Sequence, residues 1–115
     1  MSNGPWGDKS LLLTTTNNID GRPVRQYLGI VAGETILGAN IFRDIFASFR
    51  DIIGGRSSSY ENVFRDARSQ ALAELADEAR RIGADAVIGV QVSSNAVGAN
   101  ESMLMVTATG TAVKL

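Results

Sequence analysis

The stretch "FRDIIGGRSSSYENVFRDARSQA", residues 49–71, decides how the middle of the chain folds. Gly54-Gly55 ends one helical pattern, since glycine takes the left-handed cap without a Cβ clash. Ser58-Ser59-Tyr60-Glu61 then fits a capping box, with Ser58 at the N-cap and Glu61 three residues on. A second, longer helix follows to about Ile82. Its apolar stripe is Tyr60, Phe64, Ala67, Ala71, Leu75, Ala79 and Ile82, widened by Val63, Leu72 and Ala76. Arg65, Arg68, Glu74, Asp77, Arg80 and Arg81 fall mostly on the wet side. Glu61–Arg65 and Asp77–Arg81 have the favourable i,i+4 order, and Arg80 and Arg81 suit the last turn. Gly83 closes this helix. The alanines of the stripe allow close approach to a sheet.

Upstream, "NIFRDIFASFRDII" (40–53) reads as the shorter helix, with Asn40 at its N-cap. Ile41, Phe42, Ile45, Phe46, Phe49, Ile52 and Ile53 cover an arc too wide for one core-facing stripe. A short helix this apolar sits between two surfaces. In a chain of 115 residues the second surface is expected to be another subunit. The pairs Arg43-Asp44 and Arg50-Asp51 then read as rim charges of that contact. The alternative is an ordinary solvated helix face.

Four extended segments flank the helices. "LLLTTTNNI" (11–19) is rich in β-branched residues, and Asp20-Gly21 before Pro23 marks a tight turn. "VRQYLGIVAGE" (24–34) places Val24, Gln26, Leu28, Ile30 and Ala32 on one face. "ADAVIGVQVSS" (84–94) has Ala86, Ile88, Val90 and Val92 as its core face. After the turn "NAVGANE" comes "SMLMVTATGTAV" (102–113). There Leu104, Val106, Ala108, Gly110 and Ala112 form a small apolar face suited to an alanine-lined helix. Met103, Met105, Thr107, Thr109, Thr111 and Val113 lie opposite. The order is β-β-α-α-β-β, a two-layer α+β domain with one antiparallel sheet and its helices on one face. Gly29, Gly89 and Gly110 fall inside strands, where each marks a bulge, a bend or a close backbone approach.

Composition narrows the chemistry. There is no cysteine and no histidine. Disulfides, thiolate and imidazole metal ligands, and Ser-His or Cys-His catalysis are therefore excluded. The net charge of −1 argues against a nucleic-acid binder. No apolar run approaches the ~18 residues of a transmembrane helix. "MSNGPWGDKS" (1–10) has no apolar core of a signal peptide and reads as a flexible tail, so the cytoplasm is the expected location.

The blocks "LLLTTTNNIDG", "YLGIVAGE", "GANIFRDIFASFRDIIGGRSSSYE", "LADEARRIGADAVIGV" and "MLMVTATGTAV" occur in one order over residues 11–115. Together they resemble the YbjQ-like family of heavy-metal-binding proteins, most specifically in GGRS-x-x-YE and in GADAV with the hydrophobic residue and Gly-Val after it. The resemblance implies a dodecin-like subunit in a cyclic oligomer, expected to be a pentamer, with no established enzymatic activity. It names no cofactor. The metal the family label implies would have only Met thioethers, carboxylates and backbone oxygens to bind; Met103 and Met105 share a strand face, either to favour a soft ion such as Cu(I) or simply to pack, and no metal-ligand set is assigned.

Candidate binding residues are Gly54, Gly55, Arg56, Ser57, Ser58 and Tyr60. Exposed amides at a helix start, hydroxyls and an arginine are the parts of an anion site. A plain helix–helix turn also explains the glycines, Ser58 and Glu61, leaving only Arg56, Ser57 and Tyr60 over. The expected interface residues are Ile41, Phe42, Arg43, Ile45, Phe46, Phe49 and Arg50. Glu74, Asp77 and Glu78 cluster on the long helix, either to hold a cation or as a solvated face beside Arg80 and Arg81. The functional expectation is a non-enzymatic, self-associating binding or scaffold domain. The alternative is a carrier of a small ligand or heavy metal, bound near GGRSSSYE or in the ring channel.

Overall fold

The structure is a computed structural model that describes residues 11–38 and 58–115. Among these, strands β1 (Leu12–Leu13), β2 (Gln26–Leu37), β3 (Ala86–Val97) and β4 (Met103–Lys114) form one sheet, with helix α1 (Ser58–Arg81) packed on it. A 3₁₀ turn, Ala99–Glu101, joins β3 to β4. The shorter helix read over 40–53 lies outside the described residues. The α+β class stands, with one helix and four strands described.

The strand order is β1-β3-β4-β2. β4 pairs antiparallel with both β3 and β2, but β1 runs parallel to β3, with Leu12 beside Ala86. The sheet is therefore mixed, not wholly antiparallel as its sequence suggested. The expected first strand also shrinks to two residues. Beyond Leu13 the chain stays on the β3 edge through single bonds: Thr14 N donates to Val87 O, Val90 N to Thr14 O and Gly89 N to Thr16 O. It then leaves through the Asp20-Gly21 turn, closed by Arg22 N to Ile19 O. Ile19, Val24 and Leu115 pack on Ala86, Ile88 and Val113 as a small second core.

The main core is the helix-facing layer. Ala67, Ala71, Leu75 and Ala79 of α1 are at most 2% exposed, as their spacing requires. They meet Val31 and Leu37 of β2, Val87 and Val90 of β3, and Val106, Ala108 and Ala112 of β4. The β4 alternation holds along its length. Those of β2 and β3 do not, because each strand carries a bulge: between Tyr27 and Gly29 in β2, and between Ile88 and Gln91 in β3. An extra residue reverses the faces that follow. Leu28 and Val31 thus share the helix side, while Ile30 is 83% exposed on the other. In β3, Val87 and Val90 face the helix, while Ala86 and Ile88 join the second core. Val92, expected in the core, is 39% exposed.

α1 ends one residue before Ile82, which is exposed rather than part of the stripe. The end is a Schellman motif: Ala84 N bonds to Ala79 O, Gly83 N to Arg80 O, and Gly83 has φ 83°. Near this end two ion pairs are i,i+3, with Arg80 on Asp77 at 3.4 Å and Arg81 on Glu78 at 3.1 Å, in place of the expected Asp77–Arg81 pair. Arg65 donates to Asn62 Oδ1 at 2.7 Å.

Candidate functional site

α1 starts at Ser58, within a residue of where the capping box placed its cap. Gly54, Gly55, Arg56 and Ser57 lie outside the described residues, as do Ile41, Phe42, Arg43, Ile45, Phe46, Phe49 and Arg50. For Ser58 and Tyr60 only the helical backbone is described. The structure therefore gives the backbone of the helix start that an anion site would use.

The sheet face opposite α1 lies within the described residues. Across it, cross-strand register sets Ile30 beside Thr111, Ala32 beside Thr109, Glu34 beside Thr107 and Ile36 beside Met105. On the other flank of β4, Gln91 faces Thr109, Ser93 faces Thr107 and Asn95 faces Met105. A threonine column thus runs down the middle, with amides and hydroxyls on one side and aliphatics interrupted by Glu34 on the other. Met103 and Met105 lie on this face, half-buried, next to Val97 and Asn95.

Thr107 Oγ1 is buried there without a hydrogen-bond partner among the described residues. An unmet buried hydroxyl costs ~1–3 kcal/mol, and an apolar side chain of the same shape removes that cost. Thr107→Val should therefore raise stability by about 1 kcal/mol in urea unfolding; a loss of stability would mean the hydroxyl has a partner after all.

The carboxylate cluster is already engaged. Glu74 Oε1 accepts the backbone N–H of Glu34 at 3.1 Å, tying α1 to strand β2 at the sheet edge. Glu78 and Asp77 hold Arg81 and Arg80. Among the described residues no three of His, Cys, Asp and Glu gather as a metal site would need, and no helix is long and apolar enough to cross a membrane.

A family model described as "Putative heavy-metal-binding", YbjQ, matches residues 11–115. The chain belongs to the YbjQ family. A solved structure agrees in fold: a protein of unknown function from Pediococcus pentosaceus ATCC 25745, of the DUF74 family, has a TM-score of 0.58 at 18% identity, over 93% of this chain and 99% of that one. The YbjQ description turns attention to donor atoms. In this YbjQ chain the soft donors on the described surface are the thioethers of Met103 and Met105, while Glu74, Asp77 and Glu78 of α1 are engaged in the fold.

Proposed function

We propose that this YbjQ-family chain is a homo-oligomeric binding or scaffold domain without catalysis of its own, working in the cytoplasm as a ring of dodecin-like subunits, with a pentamer the expected size. The observation that carries the reading is the aliphatic strip on the face opposite α1. Ile30 is 83% and Ile36 56% exposed on the long edge strand β2. Burying one such side chain contributes ~1.5–3 kcal/mol, so a surface presenting two of them gains by association. The apolar residues Ile41, Phe42, Ile45, Phe46 and Phe49, rimmed by Arg43 and Arg50, supply further contact area, and residues 1–10 form a tail outside the domain. Native mass spectrometry tests this. The wild type should run at the mass of a closed ring, and Phe46→Glu should give monomers or insoluble protein; a variant still at ring mass overturns the assignment of the contact.

The family description favours a second reading, a heavy-metal or small-anion site at the subunit junction near Gly54, Gly55, Arg56, Ser57, Ser58 and Tyr60, or in the ring channel. Met103 and Met105 suit a soft monovalent ion. The same spectra, taken with Cu(I) and, separately, with inorganic phosphate added, decide it: a fixed extra mass per subunit supports a site, and unchanged masses with both remove it.

A further inference from the structure

α1 lies over β2 and β4 and barely touches β3. On the side of β3 that α1 does not reach, Leu13, Thr14, Thr15, Leu72, Val90 and Val92 line a groove of about 370 Å³. Its backbone wall is complete. Thr14 N and Val90 N are bonded between the β1 segment and β3, each at 3.0 Å. The Thr14 hydroxyl is taken up by Thr16, through its hydroxyl at 2.8 Å and its N–H at 3.2 Å. This part of the β3 edge is therefore closed to an added strand. None of the six side chains can ionise, and four are aliphatic. Thr15 brings the one hydroxyl of the lining that carries no bond to another described residue. Such a wall gains from removing apolar surface from water, and it offers nothing to offset the burial of a charge. Small-molecule sites have this size and make-up: a few hundred Å³, mostly apolar, with a few polar groups that orient the guest.

We propose that this groove binds a small uncharged lipophilic molecule with a single hydrogen-bonding group, which meets the Thr15 hydroxyl. The groove lies on the sheet face opposite the exposed Ile30 and Ile36. Fluorescence titration of the full chain with N-phenyl-1-naphthylamine, an uncharged aromatic amine, tests it. The wild type should bind saturably, one probe per chain. Val92→Trp, which fills the groove from an exposed position, should weaken binding at least tenfold, while Ile82→Lys, exposed just past the end of α1, leaves it unchanged. Should Val92→Trp fail to fold, Val92→Lys puts a charge at the same place and should do the same. The absence of saturable binding overturns the proposal. So does equal weakening by Val92→Trp and Ile82→Lys, which would mean general surface adhesion. A changed native mass on altering Val92 overturns it as well, because a second copy would then occupy the groove.

Discussion

Gly33→Ala will lift α1 from the sheet and cost about 3 kcal/mol or more, seen as a lower urea midpoint and a melting temperature at least ~10 °C down. Gly33 sits on β2 directly under the helix. A Cβ there would run into the backbone oxygen of Ala71, would lie 2.5 Å from Leu75 N and would be 2.9 Å from the Cβ of Glu74. Two of these neighbours are helix backbone, which cannot swing aside as a side-chain tip can. The whole of α1 must move, and Ala71 and Leu75, both 0% exposed, lose packing together. The same shift would break the bond from Glu34 N to Glu74. A variant within ~0.5 kcal/mol of wild type would show that the helix does not ride this close. Leu75→Ala is the companion measurement. It leaves the backbone contact intact and opens a cavity, at ~3 kcal/mol. The unfolding slope should stay unchanged in both variants if each acts on the native state alone.

How far this was legible depends on the range over which each pattern acts. The α1 stripe and the β4 alternation were, because helix and strand periods place Ala71, Leu75, Val106 and Ala108 by local geometry alone. Gly29 and Gly89 were correctly marked as sites of a bulge, and Gly110 as a site of close approach. What each does was hidden, because a bulge is defined by the partner strand. Thus Leu28 and Ile30 seemed to share a face when one extra residue separates their faces. The parallel β1 was hidden for a similar reason: nothing in "LLLTT" names Ala86 and Val87 as its neighbours. Gly33 went unremarked because its role appears only once Ala71 lies above it. The GGRSSSYE reading located the start of α1 and no more, since a capping box and an anion site use the same residue types. The groove was least legible. It draws on positions 13–15, 72, 90 and 92, each of which reads alone as ordinary core or strand, and its one signal, the exposure of Val92, arises because α1 packs over β2 and β4 and barely reaches β3.

Gly110→Ala should cost about 2 kcal/mol, and Val87→Ala in the same chain should return part of that cost. Gly110 faces the β3 bulge from β4. An added Cβ would lie 2.6 Å from Val87 Cγ1, 3.1 Å from Ile88 O and 3.2 Å from Val90 Cγ2. The bulge is held in place by Gly89, at φ 61°, and by the bonds from Gly89 N and Val90 N to the β1 segment, so β3 cannot simply slide away. The shortest contact is to a side chain, however, and Val87 is 0% exposed in the main core. Trimming Val87 alone should destabilise by leaving a cavity. Trimming it in a chain that also carries Gly110→Ala should place one methyl where another was lost. The double variant should therefore fall short of the summed single costs by about 1 kcal/mol, the coupling that touching residues show. Strict additivity would place the strain at Ile88 O, where no side-chain change relieves it, and would make the bulge backbone, rather than the packing of Val87, the reason that β4 carries a glycine at this position.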